Sequence, residues 1–288
     1  MNIGIVGAGK VGFSFGRLLA EKGIRITGYY SRDPESAKEA AAFTHSGYYT
    51  ELGKLVGDSD AIFLTVPDNT ITEVYRQVAE FEIQDKYICH CSGVRSAEEA
   101  FPGIQEHGAH AISIHLLFPI SSKYNCWQEL ADAFFCVEGD ACAVERFVPL
   151  LRGLGLRVQS IAPEHKARYH LGCALASNFV CALVQRSVEL LGDCGFSPES
   201  ALQALTPLLR SNMAHLIEDG PVSALTGPIE RGDTQTVQKH LACLTDPDDR
   251  QLYALLGLEQ VKMAQCKHPG QDLGGLAALL SSEKEKEE

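Results

Sequence analysis

The stretch "NIGIVGAGKVGFSFG" (2–16) decides the fold, because it joins a strand pattern to a helix pattern through three spaced glycines. Gly7, Gly9 and Gly12 form G-x-G-x-x-G at that junction. The first glycine permits a tight turn, the second lets backbone amides approach a pyrophosphate, and the third lets the helix pack closely on the strand. We therefore expect a phosphate-binding loop, with a glycine-rich turn lacking any ligand as the simpler alternative. Its predicted members are Gly7, Ala8, Gly9, Lys10, Val11 and Gly12.

The same alternation of strands and helices continues outward from this loop. Short apolar runs predict strands at 2–7, 25–30, 61–66, 87–92, 111–115, 133–139 and 157–162, with helical segments between them. This spacing is typical of an α/β fold with a mostly parallel sheet of the Rossmann type.

After Pro163 nearly every pattern is helical, and the first helix is predicted to run from about 163 to 192. The glycines and prolines of 218–233 predict an irregular loop. We expect a dinucleotide-binding domain at 1–162 and an all-helical domain at 163–280. The charged segment 281–288, "SSEKEKEE", is expected to be a disordered tail.

Composition limits the classes of partner. A net charge of −12 over 288 residues argues against nucleic acid or an anionic membrane surface and favours a small-molecule ligand. The ten cysteines are scattered without a C-x-x-C pair, so we expect reduced, mostly buried thiols and no metal site. The chain opens without a secretory signal, and its longest apolar run is too short to span a bilayer, so a cytoplasmic location is expected.

The end of the second predicted strand, "YYSRD" (29–33), indicates which dinucleotide is bound. An NAD site usually carries a carboxylate here that accepts hydrogen bonds from the ribose hydroxyls. Ser31 and Arg32 instead offer a hydroxyl and a cation, which suit the 2′-phosphate of NADP. Asp33 is expected to cap the helix that begins at Pro34. The simpler alternative is that Arg32 is an ordinary surface residue.

Two further strand ends fall at the edge of the sheet where dinucleotides lie. Val66 and Pro67 end the third predicted strand and are expected to contact the cofactor, although Pro67 could equally be a turn residue. Ser92 and His115 end the next two strands, near the expected nicotinamide position. Ser92 could bind a substrate oxygen, and His115 could hold a carboxylate or act as an acid, unless it is a surface histidine.

The first helix after the sheet carries a polar stripe. On a helical wheel Lys166, His170 and Ser177 share one face of an otherwise apolar helix, which favours a cleft over solvent. Lys166 could then donate a proton to a carbonyl or imine, with His170 and Ser177 orienting the substrate. These features predict an NADP-dependent oxidoreductase that reduces C=O or C=N in a small, carboxylated metabolite. The main rival is an NADP(H)-binding sensor without turnover, and a methyltransferase fits poorly.

The whole chain resembles the Rossmann-like oxidoreductases that carry the helical domain of unknown function 2520. The stretches that carry the resemblance are "GAGKVG", "YYSRDPESA", "TVPDNTI", "CHCSG", "HKARYHLGCALASNF" and "LTGPIERGDTQTVQKHL". More distantly it is similar to ketopantoate reductase, pyrroline-5-carboxylate reductase and the β-hydroxyacid dehydrogenases, and F420-dependent NADP reductases share its first domain.

The resemblance has implications for single residues. Lys166 matches the catalytic lysine of the hydroxyacid and ketopantoate enzymes, but His170 stands where those enzymes have asparagine, so the substrate class does not carry over. Arg231 is a possible carboxylate clamp or a structural ion-pair partner, and Asp233 a helix cap. The resemblance also implies a homodimer formed through the helical domain.

Overall fold

A computed structural model describes residues 1–284, which form two compact units. The first runs from Met1 to Cys181, and the second begins at Ala182. The change from strands to helices near 162 precedes this division, so the first helix of the predicted helical domain belongs to the first unit.

An eight-stranded sheet forms the centre of the first unit. Its strands are β1 (Asn2–Val6), β2 (Arg25–Tyr30), β3 (Gly47–Tyr48), β4 (Ala61–Leu64), β5 (Tyr87–His90), β6 (His110–Leu117), β7 (Phe134–Gly139) and β8 (Arg157–Ser160). They lie in the order β3-β2-β1-β4-β5-β6-β7-β8, and every neighbouring pair is parallel except β6 and β7. The predicted α/β class with a mostly parallel sheet is confirmed.

The helices of the first unit lie along the crossover connections. They are α1 (Lys10–Glu21), α2 (Pro34–Thr44), α3 (Leu52–Gly57), α4 (Ile71–Val78), α5 (Ala97–Ala100), α6 (Trp127–Leu130), α7 (Ala141–Gly153) and α8 (Lys166–Ala176). As expected, Asp33 caps α2, since its carboxylate accepts hydrogen bonds from Glu35 N at 3.1 Å and Ser36 Oγ at 2.6 Å. The carboxylate next to Arg32 is thereby engaged by its own helix.

Each face of the sheet has its own apolar core, which explains why the strands read as continuous apolar runs. Phe15, Phe63 and Phe135 pack together on one face. Tyr75 and Phe101 pack on the other. The sheet is therefore rigid on both sides, and its carboxyl edge is held in place.

The remaining helices are α9 (Asn178–Asp193), α10 (Pro198–Asp219), α11 (Pro221–Ala224), α12 (Thr234–Cys243), α13 (Pro247–Lys267) and α14 (Gly274–Lys284). The single helix predicted at 163–192 is interrupted at Ser177, where the backbone leaves helical geometry (φ −127°, ψ −78°). The predicted loop 218–233 contains the end of α10 and the short α11. Helix α14 extends into the segment 281–288 that we expected to be disordered, up to Lys284, and residues 285–288 lie outside the described part.

One described segment, Pro163–Asp193, is long and apolar enough to cross a membrane by length and composition. None of its most apolar window is buried, and a single segment of this kind is weak evidence for a membrane span.

Candidate active site

The glycine loop has the backbone geometry that its sequence predicts. Gly7 has φ +107°, which an L side chain rarely adopts, and a Cβ there would lie 2.8 Å from Thr65 O. A Cβ on Gly12 would overlap Gly7 O and lie 2.7 Å from Thr65 Oγ1. Helix α1 therefore packs directly on the loop, and its N-terminus lies where an anionic group would be bound.

A cleft of about 260 Å³ joins this loop to the end of β2 and the turn after β4. We call it the cofactor cleft. Its lining residues are Val6, Gly7, Ala8, Gly9, Tyr30, Ser31, Arg32, Ser36, Thr65, Val66, Pro67, Thr70, Glu73, Val74 and Gln77. Of the predicted cofactor residues, Lys10, Val11 and Gly12 do not line it. Lys10 is exposed at the start of α1, and Gly12 acts through helix packing.

The Ser31–Arg32 end of this cleft fits a phosphorylated ribose. Arg32 is exposed and, among residues 1–284, forms no ion pair. Since Asp33 is engaged as a helix cap, the guanidinium is the group of this turn available to an anion. The cleft also holds Glu73, a carboxylate that sequence reasoning did not single out.

Lys166 does not lie in an open cleft. It is 1% exposed, and its Nζ donates to Ser113 Oγ at 2.6 Å and lies 3.5 Å from Glu138 Oε1. The antiparallel register of β6 and β7 places Ser113 opposite Glu138, and Glu138 also accepts from Ala97 N at 3.0 Å. Burial raises the pKa of Glu138, and the neighbouring Lys166 opposes that rise.

A second group of side chains surrounds His115, which lies two residues after Ser113 on β6 and therefore on the same face of the sheet. His115 Nδ1 is 2.8 Å from Tyr169 Oη, and the rings of His115 and His170 lie 6.2 Å apart. Gly93 completes the group, because a Cβ there would lie 2.5 Å from His170 Cδ2 and 2.8 Å from His115 Nε2. Only glycine leaves both imidazoles where they are. Together with Lys166, Ser113 and Glu138, these residues form what we call the His115 cluster.

Burial lowers the pKa of His115 to about 4, with further lowering by Lys166 and His170, while Asp68 opposes the change. His115 is therefore a neutral imidazole at physiological pH. Burial raises the pKa of the Tyr169 phenol, which keeps its proton.

Two residues predicted to be catalytic, Ser92 and Ser177, form hydrogen bonds within the protein. Ser92 Oγ donates to Asp68 Oδ2 at 2.6 Å and accepts from Arg95 N, so this hydroxyl ties two loops together. Ser177 is exposed, and its Oγ donates to Cys173 O at 2.8 Å and to Asn178 Oδ1 at 3.0 Å. The predicted stripe thus has a buried lysine, a half-buried histidine and an exposed serine.

Sequence reasoning did not identify Ser113, Glu138, Tyr169 or Asp68. A weak signal existed for Glu138, since it is a lone carboxylate inside the apolar strand "FFCVEG". Its partner could not be named without knowing which strand lies beside β7. In the second unit Asp233 caps α12, as expected, by accepting from Thr236 N at 3.0 Å. Arg231 lines a shallow depression with Glu230, His268 and Gln271.

Family comparisons identify both parts of the chain. Residues 2–92 match the family described as NADP oxidoreductase, coenzyme F420-dependent. Residues 133–260 match the domain of unknown function 2520. No curated protein matches the sequence significantly.

Solved structures share the fold over nearly the whole chain. A protein from Thermotoga maritima is 25% identical with a TM-score of 0.63, covering 99% of both chains. A candidate NADP oxidoreductase from Bacteroides fragilis is 23% identical with a TM-score of 0.68, covering 91% of this chain and 98% of its own. A reductive aminase from Aspergillus terreus, in complex with NADPH and ethyl-5-oxohexanoate, is 13% identical with a TM-score of 0.57, covering 99% and 94%.

The fold, the glycine loop and the family match define the class of this chain: it is an NAD(P)-dependent oxidoreductase. More particularly, it combines the nucleotide-binding domain of the F420-dependent NADP oxidoreductases with a C-terminal domain of unknown function 2520. The resemblance deduced from the sequence is confirmed.

Proposed function

We propose that this protein uses NADPH to reduce a C=O or C=N bond in a small, carboxylated metabolite. The observation that carries the choice of NADPH is the position of Ser31 and Arg32 in the cofactor cleft, which Gly7 and Gly9 also line. The guanidinium has no competing ion pair among the described residues, and the adjacent carboxylate caps a helix. A charge-assisted contact with a 2′-phosphate contributes about 1.5–3 kcal/mol, roughly a ten- to hundredfold preference over NADH.

Calorimetric titration of the purified protein with NADPH, NADH and S-adenosylmethionine at one salt concentration tests this proposal. We expect NADPH to bind at least tenfold more tightly than NADH, with no binding of S-adenosylmethionine. Failure of both nicotinamide cofactors to bind would remove the proposed function.

The rival function is an NADP(H)-binding sensor without turnover. It requires the cofactor cleft but has no use for the His115 cluster, whose acid–base groups lie at the carboxyl end of β6. Oxidation of NADPH by any member of a panel of 2-oxo acids, aldehydes and cyclic imines favours the enzyme. Tight NADPH binding without turnover of the panel favours the sensor.

A cytoplasmic homodimer formed through the helical domain, without nucleic-acid or membrane partners, completes the proposal. Leu171 and Leu175 on α8 and Phe179 at the start of α9 are each 53% exposed, which supports a protein partner for this apolar surface. Sedimentation velocity should give a dimer that Phe179→Glu dissociates. A monomeric wild type that floats with neutral lipid vesicles would point instead to a membrane.

A further inference from the structure

The His115 cluster has a free hydrogen-bonding atom at its outer end. His115 lies near the end of β6, and its Nδ1 is engaged by Tyr169 Oη at 2.8 Å. Its Nε2 makes no hydrogen bond with any protein atom in the described chain, and this atom is not fully buried. Nε2 lies beside Gly93, where a Cβ would stand 2.8 Å from it.

The proton positions follow from the chemistry of the pair. Burial raises the pKa of the Tyr169 phenol, which keeps its proton, and we assign that proton to the hydrogen bond with His115 Nδ1, 2.8 Å away. Since His115 is neutral, its own proton must then reside on Nε2. The outward-facing atom is therefore a neutral N–H donor.

On this basis, and resting on the proposed function, we propose that His115 binds the carbonyl oxygen of the substrate and protonates it during reduction. A bound reduced nicotinamide would supply the hydride that forms the new C–H bond at the carbonyl carbon. As that C–H bond forms, the oxygen takes the electron pair of the broken C=O π bond and the proton from His115 Nε2. His115 Nδ1 takes the phenolic proton of Tyr169, and solvent reprotonates the phenolate.

Lys166 then acts as a positioning residue. Its ammonium is beneath the surface, and its donors are directed at Ser113 and Glu138. The charged and titratable groups around His115 are Lys166, Tyr169 and His170 on α8, Asp68 after β4, and Cys136 on β7. Among them the Lys166 charge disfavours an imidazolium, which keeps His115 in the neutral form that can donate from Nε2.

The arrangement also selects the substrate class. A neutral N–H donor complements the oxygen of a carbonyl, whose reduction needs a proton. An iminium ion is already cationic, has no lone pair to accept the Nε2–H hydrogen bond, and requires no proton on reduction. The cluster therefore favours a ketone or aldehyde over a protonated C=N substrate.

The test uses a matched pair from the second unit. His240 Nδ1 lies 2.9 Å from Tyr253 Oη, the same contact away from the His115 cluster. We would compare His115→Gln and Tyr169→Phe with His240→Gln and Tyr253→Phe. The probes are glyoxylate, 4-carboxybenzaldehyde and 2-methyl-1-pyrroline, with NADPH oxidation followed by absorbance and NADPH affinity measured separately by calorimetry.

We expect the wild type to reduce a carbonyl probe and not the imine. His115→Gln should lower kcat about 100-fold or more and Tyr169→Phe about tenfold, in line with general acid catalysis. NADPH affinity should change less than about threefold, and the His240 and Tyr253 variants should match the wild type. Lys166→Met should raise the pH of the acid limb of kcat, because His115 becomes easier to protonate.

Three outcomes would overturn the assignment while NADPH binding stands. These are no turnover of either carbonyl probe, unchanged kcat in His115→Gln, or a loss confined to Lys166→Met with an unshifted pH profile in the residual activity. Absence of NADPH binding by the wild type would instead overturn the proposed function itself.

Discussion

The cofactor cleft and the His115 cluster lie in the same unit but are built differently. The cofactor cleft is lined by the ends of β1 and β2, by the segments that follow β1, β2 and β4 in sequence, and by α4. The His115 cluster is formed by side chains from β6, β7 and α8, with Lys166 and Ser113 separated by 53 residues. The geometry of the cofactor cleft depends mainly on local turns, whereas that of the His115 cluster depends on tertiary contacts between side chains.

This difference determines how each site responds to change. The cofactor cleft is open, so substitutions on its rim alter ligand affinity more than folding. The His115 cluster contains a buried ion pair, whose desolvation is compensated only while both partners and their hydrogen bonds are present. Substitutions there affect stability and catalysis together.

The largest effect should come from breaking the buried pair. Lys166→Met leaves Glu138 as an unpaired buried acid, and we expect a loss of about 3–5 kcal/mol in the free energy of unfolding, measured with urea. The exposed pair Lys262–Glu259 supplies the control, since Lys262→Met should change little. Adding Glu138→Leu should recover part of the loss. A Lys166→Met protein as stable as the wild type would contradict the buried-pair account.

The second-largest effect is a pH dependence of stability that arises in the His115 cluster. The pKa of His115 falls from 6.5 in the unfolded chain to about 4 in the folded protein. Between these values the unfolded state binds the extra proton, so stability is full above pH 6.5 and is lost as the pH falls towards 4. Over this pH range the pKa difference of His115 changes the free energy of unfolding by about 3 kcal/mol.

Urea unfolding at pH 7 and pH 4.5 measures this contribution as a difference between proteins. His115→Gln should lose less stability over this range than the wild type, while the exposed His107→Gln should lose as much. His90, whose pKa burial lowers to about 3, remains in both variants. Equal losses in all three proteins would mean that His115 is not held neutral.

A smaller effect on folding is expected where α1 packs on the glycine loop. Gly12→Ala places a methyl group against Gly7 O and Thr65 Oγ1, and should cost about 1–3 kcal/mol while weakening NADPH binding. Gly192→Ala in α9 meets nothing within 4 Å and should stabilise by about 0.5–1 kcal/mol. Unfolding curves and NADPH titrations of both variants check this, and a neutral Gly12→Ala would refute the close packing of α1 on the loop.

The contrast between local turns and tertiary contacts also explains which features could be predicted from the sequence. The glycine spacing, the helix cap at Asp33 and the residues Ser31 and Arg32 are local features, and a strand–turn–helix motif fixes their geometry. The apolar strands followed by helices also predict the fold class, because parallel strands buried on both faces have that pattern.

The His115 cluster was less predictable because it depends on tertiary pairing. Glu138 meets Lys166 only because β7 runs antiparallel to β6 and α8 packs on that face, neither of which is encoded by local spacing. The helical wheel that grouped Ser177 with Lys166 assumed a continuous helix, but the backbone breaks at Ser177. Tyr169 lay within the quoted motif, yet nothing in it indicated His115 as its partner.

The most direct test of the central claim compares NADPH and NADH binding by the wild type and Arg32→Ala in one calorimetric series. Arg17→Ala, an arginine of α1 that does not line the cofactor cleft, serves as the control for loss of a cation. We predict that Arg32→Ala weakens NADPH about ten- to hundredfold and leaves NADH nearly unchanged. Equal losses for both cofactors, or no loss for either, would contradict the assignment of this cleft to NADPH.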